Sequence, residues 1–229
     1  MRRSLAAALK KNIPEKGLAA ALAAFNSQKT SDPDGTYVDG DEMSELADEL
    51  AAAGKLPEAT EVLALLSREF PDMPETYYSL GKLYLRRGLV QEAVSCLDQA
   101  EAVNRRSYPF EIRRYYGGRL LKALYQEGLP AMIELFSGLR AKDPANINET
   151  ALNALGYELI SIHDLNKAIQ VFKRNVELHP EYANGYDSLG EAYMKSGDKK
   201  QAIRSYEKAL KLNPKNENAM EMLKKLRAK

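Results

Sequence analysis

Ser196 and Lys199, and again Ser205 and Lys208, stand three residues apart, the Ser-x-x-Lys spacing in which a lysine can activate a serine nucleophile. The first pair falls in a turn, "KSGDKKQAI", and the second on a helix. Neither has the Ser-Asp-Asn or Lys-Thr-Gly partners that such an acyl-enzyme needs, and in a lysine-rich chain both are coincidences of spacing. There is no nucleophile elbow, no P-loop and no dinucleotide-binding glycine fingerprint. Two histidines, His163 and His179, and one cysteine, Cys96, are too little for a zinc site or an internal disulfide. The reading is of a chain without catalytic residues, metal or cofactor, not an enzyme. The remaining chemistry is that of contact. Tyr78, Lys82 and Arg86, Arg113, Arg114, Tyr116 and Arg119, Asn153 and Tyr157, and Asn184 and Asp187 combine rigid aromatic area, bidentate cations and amides. Such side chains suit an extended peptide.

What could array these residues is a repeat. "YDSLGEAYMKSGD", Tyr186 to Asp198, reads as a helix with Gly190 in its interior, where glycine costs about 1 kcal/mol relative to alanine. Gly190 lies 34 residues after Gly156, Ala202 34 after Ala168, Tyr206 34 after Phe172 and Pro214 34 after Pro180. Gly81 and Ala93, and Ala47 and Ala59, keep the same twelve-residue interval. Unit 183–216 supplies Tyr186, Leu189, Gly190, Tyr193, Ala202, Tyr206, Ala209 and Pro214. Unit 74–107 has Tyr77, Leu80, Gly81, Tyr84, Ala93, Leu97 and Ala100, with Arg105 at the proline position. Unit 149–182 has Leu152, Leu155, Gly156, Leu159, Ala168, Phe172 and Pro180, with Asn175 at the usual alanine, and unit 40–73 is looser.

A 34-residue period with a small residue in each of two helices resembles the tetratricopeptide repeat. The resemblance implies an all-α fold, a right-handed α-solenoid of antiparallel helical hairpins. The small pairs Gly81 and Ala93, Gly156 and Ala168, and Gly190 and Ala202 then mark where paired helices cross closely, and the apolar burial around them offsets the glycine. Gly190→Leu is expected to overpack the crossing, and Gly190→Ala to be tolerated, because Ala47 fills the equivalent place. The glycines of the turn, Gly54, Gly88 and Gly197, stop the first helix, and Asp198 caps the second.

A longer duplication frames the units. "KGLAAALAAF" (16–25) matches "EGLPAMIELF" (127–136), so each half carries an atypical hairpin followed by two repeats. The first half spans 1–107, with hairpin 1–29 and repeats 40–73 and 74–107. The second spans 108–229, with hairpin 108–142, repeats 149–182 and 183–216, and a capping helix 217–229 carrying Ala219, Met222, Leu223 and Leu226 at helical spacing. The second half also resembles the helical repeats that follow bacterial β-lactamase-like serine hydrolases or esterases, where they are accessory to the catalyst.

The tetratricopeptide resemblance implies binding of a protein or peptide segment in the concave groove lined by the first helix of each unit. The alternative is an accessory or oligomerisation region of a bacterial serine hydrolase. The lysine–asparagine clamp with which some family members hold a C-terminal carboxylate is not reproduced: its places hold Ser44 and Asp48, Tyr78 and Lys82, or Asn153 and Tyr157. Net charge is +1, yet charge is segregated: 30–75 holds 13 acidic and 2 basic residues, and 195–229 holds 11 basic and 4 acidic. That asymmetry favours head-to-tail self-association or an acidic partner, and disfavours nucleic acid, because the aromatics are committed to the core. No run approaches the roughly 20 apolar residues of a membrane span, and the apolar stretch after the basic N-terminus is too short for a signal peptide. The expectation is a cytoplasmic chain, periplasmic if it belongs to a longer secreted protein.

Overall fold

Most of the helices begin with a capping side chain or a proline in the structure, a computed structural model that describes residues 3–31, 36–107 and 112–228. Asp39 accepts hydrogen bonds from the Asp41 and Glu42 amides at the start of α3 (Gly40–Ala52). Asn148 accepts from Thr150 N at α9 (Glu149–Ser161), Asp164 from Lys167 N at α10 (Leu165–Leu178), and Asp198 from Gln201 N at α12 (Lys199–Leu212). Each side chain satisfies amides that the helix itself cannot. Proline opens α4 (Leu56–Glu69), α5 (Pro74–Arg86) and α8 (Leu129–Lys142), where its missing N–H costs nothing. The other helices are α1 (Leu5–Lys16), α2 (Leu18–Ser31), α6 (Val90–Ser107), α7 (Ile112–Gln126), α11 (Ala183–Ser196) and α13 (Glu217–Arg227).

The helices fall into two compact units, Met1–Phe110 with α1 to α6 and Glu111–Lys229 with α7 to α13. In the first, α1 packs on α2 and α3, α3 on α4, and α5 on both α4 and α6. In the second, α7 packs on α8 and α9, α9 on α10 and α11, α11 on α10 and α12, and α13 closes on α12. Both units are thus stacks of antiparallel hairpins, and the fold is all-α. One departure from pure helix is a two-residue parallel pairing of Arg3–Ser4 (β1) with Thr36–Tyr37 (β2), which ties the loop before α3 back to the chain start. Ser4 also caps α1 and donates its hydroxyl to Glu42 on α3. No helix among the described residues is long and apolar enough to cross a membrane.

The hairpin crossings differ in one respect from the sequence expectation. Ala168 and Ala202 are fully buried, but the atoms nearest the repeat glycines belong to the residue one turn later. A Cβ on Gly156 would lie 2.3 Å from the Phe172 ring, and one on Gly190 would lie 2.9 Å from the Tyr206 ring. On Gly81 it would meet Leu97 at 3.2 Å and the Ala93 carbonyl oxygen at 3.3 Å. Gly190 is therefore not interchangeable with alanine: its Cβ would collide with a ring that is itself completely buried. Ala47 is accommodated because the residue equivalent to Tyr206 in its own unit is Leu63.

The turn between paired helices needs a positive φ. Gly54, Gly88 and Gly197 adopt 77°, 74° and 86°, while unit 149–182 places His163 there at 65°. The other irregular residue of that unit also has a use. Asn175, fully buried where alanine was expected, donates through Nδ2 to the Glu149 carbonyl at 2.9 Å and ties α10 to the first residue of α9.

Candidate functional site

The first helices of the hairpins carry the residues singled out from the sequence. On α5, Tyr78, Lys82 and Arg86 follow one another at four-residue spacing and so share a face. Lys82 Nζ stands 5.2 Å from the Tyr78 ring centroid, a cation–π contact. Arg86 reaches back to α3, where Nη2 donates to the Ala51 carbonyl at 3.2 Å. It thereby satisfies a carbonyl of the last helical turn, so this guanidinium is at least partly a structural clasp between hairpins. In α7, Tyr116 and Arg119 are half-buried, and the side chains of Arg113 and Arg114 lie outside the described residues.

In the second unit the candidates form a hydrogen-bonded ladder across successive first helices. Tyr157 of α9 donates its hydroxyl to Glu191 Oε2 at 3.0 Å and is hydrogen-bonded with the Ser188 hydroxyl at 3.1 Å, both on α11. Its ring stands edge-on to Phe172, centroids 5.5 Å apart at 76°, yet the residue is 38% exposed. Burial of the hydroxyl end, and after it the carboxylates of Glu191 and Asp187, push the phenol up to about 12, against the opposing hydrogen bond with Ser188. One turn earlier on α9, Asn153 is buried and its Oδ1 accepts no hydrogen bond.

Asp187 continues the ladder. It is buried, and its carboxylate accepts from Asn216 Nδ2 at 3.2 Å and from Asn218 Nδ2 at 2.9 Å. Burial holds its carboxyl above the usual range, and the two amides oppose that shift. Asp187 thus serves to fasten α13 to α11, and less of it is presented outward than its position in the repeat suggests. Asn184 is exposed, with Nδ2 donating to the Tyr182 hydroxyl at 3.2 Å.

Sequence reasoning missed Asn216 and Asn218, because their partner lies 29 and 31 residues away on another helix. It also missed a clasp between α7 and α10. There the half-buried Tyr125 donates its hydroxyl to Asp164 Oδ2 at 2.7 Å, and Lys167 Nζ sits 3.0 Å from the same oxygen and 4.5 Å from the Tyr125 ring centroid. The only signal for it in the sequence was the capping position of Asp164. Cys96 is buried, which pushes its thiol up to about 11 and leaves it inert as a nucleophile. No cluster of three or more His, Cys, Asp or Glu side chains arranged for a metal occurs among the described residues.

With this geometry in hand, the comparisons with known proteins fall into place. Residues 183–216 and 44–111 match the tetratricopeptide repeat family. A solved tetratricopeptide repeat protein from Parabacteroides merdae superposes over 97% of this chain and 83% of its own, with a TM-score of 0.50 at 18% identity. The repeat match belongs to those two segments, and the fold of the chain is the all-α tetratricopeptide fold. Among curated proteins, the wheat (Triticum aestivum) Hsp70-Hsp90 organizing protein is 39% identical over 82 residues, 36% of this chain and 14% of the wheat protein. The chloroplastic tetratricopeptide repeat domain-containing protein PYG7 of Arabidopsis thaliana is 34% identical over 67 residues, 29% of this chain and 22% of its own. The chain thus spans less than a quarter of the length of either relative.

Proposed function

We propose that this chain is a non-catalytic interaction module that binds a protein or peptide segment on the faces formed by the first helices of its repeats. The observation that carries the reading is Tyr157: its ring rests on Phe172 and its hydroxyl is held by Ser188 and Glu191, yet 38% of the residue is exposed. A rigid, half-exposed tyrosine offers contact area with little rotamer freedom left to lose, the property of an interface anchor. Tyr78 with Lys82 offers the same kind of surface on α5. The repeat family supports a role in protein–protein contact, and the wheat relative is named for organising Hsp70 and Hsp90. A chaperone-tail clamp is not our reading, because Tyr78 and Lys82, or Asn153 and Tyr157, replace its lysine and asparagine.

Quantitative affinity capture with the wild type and a Tyr78→Ala/Tyr157→Ala variant tests this, with circular dichroism confirming that the variant remains helical. Loss of specific partners from the variant is expected, and an unchanged partner set contradicts the reading. The alternative, an accessory region of a bacterial serine hydrolase, rests on the sequence resemblance of the second half. A hydrolase domain fused to this chain in the genomic reading frame would establish it.

A further inference from the structure

The seam between α1 and α3 in the first unit is not a flush contact. Two adjoining hollows of about 210 and 180 Å³ run along it, sharing Lys10, Leu46 and Glu49. Ile13, Leu46 and Leu50 give the trench an apolar floor, and Glu42, Glu45 and Glu49 rise along its α3 side. Lys10 is paired with Glu49 at 2.6 Å, and Glu42 accepts the Ser4 hydroxyl, but Glu45 is exposed and has no cationic partner among the described residues. The α3 helix contributes Asp41, Glu42, Glu45, Asp48 and Glu49 and no basic residue, and although Lys10 and Lys55 also line the trench, it lies in the segment 30–75 with 13 acidic and 2 basic residues, so the surrounding field is negative.

The complementary surface is on the same chain. The outward face of α13 carries Met220, 46% exposed and the most exposed large apolar side chain among the described residues, with Lys224 one turn further on. Lys224 is exposed and has no carboxylate partner among the described residues; Glu217 stands one turn before Met220, but the segment 195–229 around the helix holds 11 basic and 4 acidic residues and gives a net positive field. An apolar side chain beside Lys224 in a basic segment matches an apolar trench beside Glu45 in an acidic one.

We propose that the α1/α3 trench receives the outer face of α13 from a second copy of this chain, with Met220 over the apolar floor and Lys224 against Glu45. The contact joins two different surfaces, so each copy still offers a free trench and a free α13. Association is then head-to-tail, proceeding beyond a dimer unless a ring closes. This goes beyond the partner-binding reading and does not use Tyr78 or Tyr157. Its test needs only the purified chain, so the two ideas fail separately.

The test is sedimentation velocity of the full chain from low micromolar to several hundred micromolar, at low and at high salt. At low salt the mass should rise with concentration above the 25.6 kDa of one copy, and high salt should reverse the rise. Glu45→Lys or Lys224→Glu alone should weaken association by roughly tenfold or more, because each replaces an attraction by a repulsion. The double variant, or an equimolar mixture of the two single variants, should restore it. Both positions are exposed, and unchanged helicity by circular dichroism checks the fold. A wild type that stays at monomer mass throughout overturns the proposal. So do single variants that associate like wild type, or a charge swap that does not restore association.

Discussion

The two units use the same repeat but fill the helix crossing differently, and the difference reaches the face proposed for binding. In unit 74–107 the glycine at the crossing faces a leucine, with 3.2 Å left for a Cβ. In unit 149–182 it faces Phe172 with only 2.3 Å, so the ring lies where an alanine methyl would be. That ring in turn supports Tyr157 edge-on, and Tyr157 is held across to α11. The absence of a side chain at Gly156 thus allows the aromatic that positions the exposed tyrosine. On the first unit's face, Tyr78 is instead accompanied by a cation, Lys82, and no buried aromatic stands at the crossing behind it. A repeat glycine therefore does more than permit close approach: its neighbour one turn past the buried alanine decides what it is for.

This comparison can be broken at graded positions. Gly156→Ala should have the largest effect, a loss of about 2–3 kcal/mol in urea unfolding, because its Cβ would force the fully buried Phe172 ring out of place. It should also weaken partner capture by displacing Tyr157. Gly190→Ala should cost about 1–2 kcal/mol, since Tyr206 is met at 2.9 Å. Gly81→Ala should leave stability within about 0.5 kcal/mol of wild type, because the helix propensity gained offsets a small shift of Leu97. Equal losses at all three positions would erase the distinction between the leucine and aromatic crossings.

The turns sharpen the contrast on a smaller scale. Gly197→Ala should cost about 1 kcal/mol in the same unfolding experiment, since φ is 86° there. The smallest effect is one of pH, and it belongs to the second unit, which holds both histidines of the chain. His179 is largely buried near Arg140 and Glu149, and burial and then the Arg140 charge lower its pKa below 6.5, against the opposing pull of Glu149. The native state therefore binds fewer protons than the unfolded chain. The stability His179 contributes is complete above about pH 6.5 and falls as pH drops through 6.5 toward the lowered folded value. Melting temperature measured between pH 5 and 8 should fall on the acid side, and His179→Gln should flatten that slope.

The 34-residue period and the turn residues made the hairpins legible, because both are local features of the chain. The side chain that fills the space beside each glycine was harder to read than the small pairs themselves. The alanines keep the period visibly, whereas the contact belongs to residues 97, 172 and 206, whose type varies. The clasps between helices were not legible. Arg86 to the Ala51 carbonyl, Tyr125 to Asp164, and Asp187 to Asn216 and Asn218 join residues 29 to 39 positions apart, through directions that only packing fixes. Of the candidate binding residues, Asp187 and Arg86 carry structural bonds that composition alone could not reveal, while Tyr157 is exposed and Tyr78 half-buried.

The most direct test of the glycine–aromatic account is a double-mutant cycle on Gly156→Ala and Phe172→Leu, read by urea unfolding. The account predicts that Gly156→Ala costs about 2–3 kcal/mol beside phenylalanine and within about 0.5 kcal/mol of nothing beside leucine, as at Gly81 and Leu97. The same loss in both backgrounds would show that the ring does not occupy the space the missing side chain leaves.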